Sequence, residues 1–156
     1  MIRRAENSDY EEMDLVFRES AKALCIRNYE ESKVLDWVGQ PWAERFVESA
    51  AKGNDQFVKI SNGKVVCFAE LNTENSKLNS IFVLPDYAGK GIGQEMLNFL
   101  FCRAKEAGLQ HLKLDASLNA VNFYQRNGFK QQGVSEFTTQ NGVVLDSVQM
   151  ICVFCN

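Results

Sequence analysis

The chain has one histidine, His111, and two prolines among 156 residues. A single imidazole excludes mechanisms and metal sites that need paired histidines. No Pro- or Ser-rich linker divides the chain, so residues 1–156 are expected to form one domain. No apolar run approaches the ~20 residues of a membrane span. No apolar stretch suited to a signal peptide comes after Met1–Glu6, and the expectation is a soluble cytoplasmic protein. Basic excess is also missing: 17 Lys+Arg stand against 20 Asp+Glu, a net charge of −3. That balance argues against a phosphate-tracking nucleic-acid binder.

Cysteine is present in an odd count, at positions 25, 67, 102, 152 and 155. Each lies in apolar sequence, which predicts reduced core residues and not a disulfide framework. Cys152-Val-Phe-Cys155 is formally CxxC, but on a strand residues three apart face opposite sides, so no metal is expected there. Apolar residues make up 46% and charged residues 24%, enough for a core without staples.

The periodicities predict a short strand over Met1–Arg4 and a helix over Tyr10–Leu24, opened by a Ser8/Glu11 capping box. A second helix is expected over Trp42–Lys52, entered at Pro41, with Trp42, Phe46, Val47 and Ala50 as its apolar stripe. Strands are expected at Gln56–Ile60 and Lys64–Leu71 around the hairpin signal Ser61-Asn62-Gly63, then at Leu78–Leu84. Gly91–Ala107 is the clearest helix. Leu109–Leu114 reads as a strand and Leu118–Asn127 as a helix. Gly133–Thr138 and Val143–Val153 form a tail hairpin. The order predicts an α+β (mixed α/β) fold, with antiparallel hairpins flanking one parallel, right-handed β-α-β unit.

The segment Val83-Leu84-Pro85-Asp86-Tyr87-Ala88-Gly89-Lys90-Gly91-Ile92-Gly93-Gln94 joins a strand to the long helix through three alternate glycines. Free first-turn N–H groups, the helix dipole and missing Cβ atoms make this an anion site, and Lys90 adds charge. A tight turn alone needs fewer glycines. A P-loop requires Gly-Lys-Ser/Thr, but Gly91 comes after Lys90. A dinucleotide fingerprint requires GxGxxG directly after the strand. Here the spacing is GxGxG, although Asp115 falls about 20 residues on, where a ribose ligand would stand.

About thirty residues after the loop the chain reads Ser117-Leu118-Asn119-Ala120-Val121-Asn122-Phe123-Tyr124-Gln125-Arg126-Asn127-Gly128-Phe129. The two segments together resemble the GNAT superfamily of acyl-CoA-dependent N-acetyltransferases. Ala88-Gly89-Lys90-Gly91-Ile92-Gly93 matches the family's Gln/Arg-x-x-Gly-x-Gly/Ala pyrophosphate loop, and Val83-Leu84-Pro85 its preceding Val-x-Pro. Ser117–Phe129 matches its Asn-x-x-Ala-x-x-Phe/Leu-Tyr-x-x-x-Gly-Phe segment. The motifs cover Leu78–Phe129, and the flanks match in element order. Two positions depart: Ala88 replaces Gln/Arg, and Ser117 stands where Asn is usual.

The resemblance implies a mixed, mostly antiparallel sheet with helices on both faces, and an enzyme that uses acetyl-CoA and no metal. Backbone groups of Ile81, Phe82 and Val83 would bind the pantetheine arm, and amides from Gly89, Lys90, Gly91, Ile92, Gly93 and Gln94 the pyrophosphate. Phe123 would pack on the pantetheine, with Ser117 or Asn119 bonding nearby. Tyr124 is the candidate general acid, with a plain core aromatic as the alternative. Glu70 is the first candidate base and Asp115 the second, while His111 reads as an exposed strand-start residue. The acceptor end would draw on Tyr29 and Trp37 as a cation-accepting wall, with Arg27, Trp42 and Phe137 nearby. The implied reaction is direct acetyl transfer to a primary amine of a small molecule or a protein. No acyl-enzyme is expected, because no activating base accompanies Cys67 or Cys102. A CoA-binding sensor without turnover and a nucleotide-dependent oxidoreductase are the alternatives. The apolar tail run Met150–Phe154 suits either core or a homodimer interface.

Overall fold

In a computed structural model, which describes residues 1–155, seven strands form one sheet in the order β1-β2-β3-β4-β5-β7-β6. They are β1 (Ile2–Arg4), β2 (Asp55–Ser61), β3 (Lys64–Asn72), β4 (Lys77–Val83), β5 (His111–Ser117), β6 (Lys130–Thr138) and β7 (Val144–Val153). The helices are α1 (Tyr10–Leu24), α2 (Glu31–Val38), α3 (Arg45–Ala51), α4 (Ile92–Glu106) and α5 (Val121–Arg126). All strand pairs are antiparallel except β4 with β5. The expected mixed sheet with a central parallel β-α-β unit is therefore present.

Side chains alternate across the sheet, so each face has its own core. Phe57, Cys67, Ala69 and Leu78 pack with Met96, Leu97 and Leu100 of α4. Val58, Val65 and Phe68 pack on the other face with Met13, Val16 and Phe17 of α1, Val34 of α2 and Phe46 of α3. Asn62 and Gly63 both take positive φ (51° and 75°), the backbone that a two-residue hairpin turn demands.

Several boundaries differ from the sequence reading. The Ser8/Glu11 box does not open α1. Asp9 instead accepts from the Glu6 amide at 2.7 Å and from the Arg3 guanidinium at 2.7 and 3.0 Å. The third helix starts at Arg45 and not at Trp42: the Trp42 amide donates to Asp14 of α1 at 3.1 Å, and Ala43–Glu44 form a turn ahead of the helix. Its buried face is Arg45, Phe46 and Ser49, while Val47 and Ala50 of the expected stripe are exposed. β5 runs on to Ser117 because it stays paired with β7 up to Ser117–Ser147. The expected Leu118–Asn127 helix is a 3-10 turn at Leu118–Ala120 leading into α5. Cys25 and Cys67 are buried, but Cys102 and Cys155 are exposed, against the expectation of five core cysteines.

Candidate active site

The parallel strands β4 and β5 are paired only at Lys77–Lys113. Beyond that point they splay, while β4 stays paired with β3 through Phe82–Phe68 and Val83–Cys67. The β5-facing backbone groups of Ile81–Val83 are thus left without a strand partner. Unpaired backbone of this kind seeks a ligand or water. One residue earlier the register slips between Glu70–Ser80 and Leu71–Leu78, so Asn79 is an inserted residue that bends the strand.

Two cavities open from this split, one of about 500 Å³ and one of about 430 Å³. Both are lined by Ile81, Phe82, Ser117, Ala120 and Tyr124. The smaller leads to Gly89, Gly91, Gly93 and Gln94 at the start of α4, with Asn119, Phe123 and Arg126 along it. The larger contains Glu70, Arg45, Ser49, Trp37 and Phe137.

The glycine loop has the geometry that its composition suggests. Gly89 and Gly91 sit at φ +74° and +83°, and a Cβ at either would meet nothing within 4 Å. Gly91 is the N-cap of α4, so the helix begins beside open space. A Cβ on Gly93 would lie 3.7 Å from the Phe123 ring and 3.8 Å from the Val83 side chain. The Gln94 amide donates to Asn127 at 2.5 Å and to Asn98 at 3.0 Å, which ties α4 to the end of α5. Lys90 and Ile92 do not line the cavity. The Lys90 ammonium lies 5.6 Å from the Tyr87 ring centroid, and Ile92 packs into the core. Arg126, which no sequence pattern singled out, does line the cleft.

Tyr124 stands where the two cavities meet and is 7% exposed. Burial pushes its phenol well above the ordinary value, so it stays protonated at neutral pH. Its ring packs edge-on against Phe123 and Phe129. Glu70 lies in the larger cavity. Its Oε2 accepts from Ser49 Oγ and from Gln56 Nε2 at 3.1 Å, and no hydrogen bond of the described residues occupies Oε1. Burial raises its pKa, while those two donors and the charge of Arg45 pull it back down.

Other candidates are placed differently. Asp115 pairs with Lys77 at 3.1 Å, so its carboxylate is already engaged at the point of the split. His111 is half-buried at the start of β5, not exposed. Tyr29 lines neither of the two cavities. Its hydroxyl donates to the Asp146 carbonyl at 2.6 Å and accepts from the Leu118 amide at 2.9 Å, bracing the α1–α2 connection against β7. Trp37 and Phe137 do line the larger cavity and meet edge-on, 6.1 Å between centroids. Arg27 is exposed. Trp42 lies 5.0 Å from the Arg45 guanidinium. Asn119 accepts from the Cys25 thiol at 3.4 Å, and Ser117 lines both cavities.

This arrangement has close counterparts. The chain is 27% identical over 136 residues to an uncharacterized N-acetyltransferase, YafP, of Escherichia coli, with 85% of each chain covered. It is 30% identical over 99 residues to the ribosomal protein bS18-alanine N-acetyltransferase of Haemophilus influenzae, covering 60% of this chain and 68% of that one. Among solved structures, a PaiA N-acetyltransferase from Thermoplasma acidophilum in complex with coenzyme A superposes with a TM-score of 0.80 at 22% identity, covering 99% and 98% of the two chains. A GCN5-related N-acetyltransferase from Rhodopseudomonas palustris reaches 0.85 at 21% identity, covering 99% and 95%. The acetyltransferase (GNAT) domain model matches residues 25–152, which takes in the splayed strands, the glycine loop and most of the lining of both cavities. The chain belongs to the GNAT family of N-acetyltransferases and is an acyltransferase.

Proposed function

We propose that the chain transfers an acetyl group from acetyl-CoA to a primary amine by direct attack. The observation that carries this reading is the meeting of the two cavities at Tyr124. A cleft ending at the glycine loop adjoins one that holds a carboxyl group with a free oxygen. The smaller cleft suits coenzyme A. It offers unpaired β4 backbone to an amide-bearing arm, and Cβ-free helix-start amides with Arg126 to a pyrophosphate. Ala88 lines it too and adds no donor, so the loop amides carry more of the anion contact.

Bound there, acetyl-CoA supplies an acyl carbon activated as a thioester. Ile81–Val83 fix the arm as an added strand would, and the Phe123 ring packs beside it. Glu70 Oε1 takes a proton from the acceptor, which is mostly ammonium at pH 7. The new bond joins the amine nitrogen to the acyl carbon, and the carbon–sulfur bond breaks. The Tyr124 hydroxyl gives its proton to the departing sulfur, and the phenolate recovers one from the newly acylated nitrogen, which still carries the second proton of the attacking amine. No cysteine is required as a carrier: burial pushes Cys25 and Cys67 up to about 12, so neither is a nucleophilic thiolate at neutral pH.

A thermal-shift titration with acetyl-CoA, CoA, NAD and ATP, paired with thiol release across an amine panel, tests the reading. Stabilisation by acetyl-CoA and CoA alone, by ~2.7 kcal/mol at a hundredfold excess over Kd, is expected. A shift with NAD and not CoA would reverse the cofactor assignment. CoA binding without thiol release on any amine would leave a sensor.

A further inference from the structure

Resting on that acyl-transfer reading, we propose that the acceptor is a free α-amino acid with an apolar side chain, its carboxylate held by Arg45 and Ser80. Arg45 opens α3 on its buried face and is 8% exposed. Its Nε is committed to Asp14 at 3.0 Å and to the Trp42 carbonyl at 3.0 Å. Its Cζ lies 4.5 Å from the Phe17 centroid and 5.0 Å from that of Trp42. Neither terminal nitrogen makes a hydrogen bond to the described residues, although Arg45 lines the larger cavity. A guanidinium fixed in this way offers the paired N–H edge that matches a carboxylate.

A second group in the same cavity is also unmet. The Ser80 hydroxyl oxygen is buried and has no partner among the described residues. Buried polar groups without partners are uncommon, and a ligand that meets them is favoured.

Charge points the same way. Asp14 is shared between Arg45 and Arg18, at 3.0 and 2.9 Å. Arg45, Lys52 and Lys77 line the cavity against Glu70 and Asp115, one positive charge in excess. Arg45 and Ser49 lie four residues apart on one face of α3, and Ser49 holds Glu70. The anion-binding edge therefore neighbours the base, as carboxylate neighbours amine on a single carbon. Trp37, Phe68, Phe82 and Phe137 supply an apolar wall for the side chain. A peptide N-terminus offers Arg45 only a neutral amide.

The test uses the intrinsic fluorescence of Trp37 and Trp42, the chain's two tryptophans, with CoA present. The probes are L-phenylalanine and L-leucine, each with its carboxamide and its decarboxylated amine. At least one amino acid should bind tenfold or more tightly than both derivatives. Ser80→Ala, which removes an unpartnered hydroxyl, should reduce that preference at least twofold, and Arg45→Gln should abolish it. Equal binding of the derivatives, no binding of either amino acid, or a preference that survives both variants would overturn the proposal. Thiol release on the same probes separates the two readings. Selective binding without transfer would sink the acyl-transfer reading and leave the carboxylate site standing. Efficient transfer to the carboxamides or amines would do the reverse.

Discussion

At the residue scale, the proposed mechanism gives the proton transfers to two groups whose surroundings suit opposite roles. Tyr124 is buried among Phe123 and Phe129 and remains a phenol at neutral pH. Tyr124→Phe keeps the ring packing and deletes the proton. It should lower kcat by about 10²–10⁴-fold with acetyl-CoA affinity little changed. Steady-state kinetics with a CoA titration measures both, and unchanged kcat would remove Tyr124 as the acid. Glu70 has a pKa raised by burial, so its basic form, and the rate it supports, should appear as pH climbs above the ordinary carboxylate range. For stability the sign is opposite. The folded state binds this proton more tightly than the unfolded chain. Its contribution is thus full at low pH and is lost as pH rises from the ordinary carboxylate value through the raised one. Glu70→Gln should erase the acidic limb of the pH–rate profile without weakening the fold at neutral pH. A limb that persists in the variant would assign it to another group. Both proposed groups were candidates on the sequence: Tyr124 through its motif, Glu70 through its place near the end of a strand expected to neighbour the cofactor-binding one. Arg45 was not, because an arginine in a polar helix reads as solvated surface. Its stacking partners Phe17 and Trp42 belong to other elements, α1 and the segment before α3.

At the element scale, the glycine loop was the most readable feature and α3 the least. Alternate glycines between a strand and a helix state their own backbone requirement, and Gly89 and Gly91 do occupy the left-handed region. The third helix misled because its register is set by Asp14 capturing the Trp42 amide, a contact 28 residues apart. The inward face then carries Arg45 and Ser49, polar residues that serve the cavity. The placement of Tyr29 was hidden for a related reason: its hydroxyl partners belong to β7 and to the turn after β5, invisible to local pattern. The loop yields a prediction of its own. Gly91→Asp places a Cβ and a carboxylate at the N-cap of α4, where the wild type leaves open space. The left-handed backbone should cost about 1–2 kcal/mol of stability. Charge repulsion at the helix start should weaken CoA tenfold or more. Calorimetric titration of the folded variant decides this, and wild-type affinity would detach the loop from cofactor binding.

At the scale of the whole molecule, one sheet carries a core on each face, and the cavities exist because that sheet is held open in its middle. β1–β4 form one antiparallel block and β5–β7 another, joined by the single β4–β5 pairing and the Lys77–Asp115 bridge. Element order made this mixed architecture readable, because a helix between two strands implies a parallel crossover. The depth of the split was not readable, since it depends on where pairing stops and not on which residues favour strands. The split raises the question of whether the blocks melt separately. The packing argues that they do not. Met96, Leu97 and Leu100 of α4 lie in a cluster that includes Leu78 of β4 and Leu112, Leu114 and Met150 of the second block. On the opposite face Leu145 of β7 packs in one cluster with Met13, Val34 and Phe68. Both faces therefore bridge the blocks. Leu100→Ala and Met13→Ala each empty a fully buried site, one per face. Each should cost about 2–5 kcal/mol and lower one shared transition, by roughly 2–4 °C per kcal/mol for a chain of this length. Calorimetry should return a single peak in both variants, with equal calorimetric and van't Hoff enthalpies. A second peak in either variant would mean that the blocks fold independently, and the split would then be a hinge between two units and not a cleft within one.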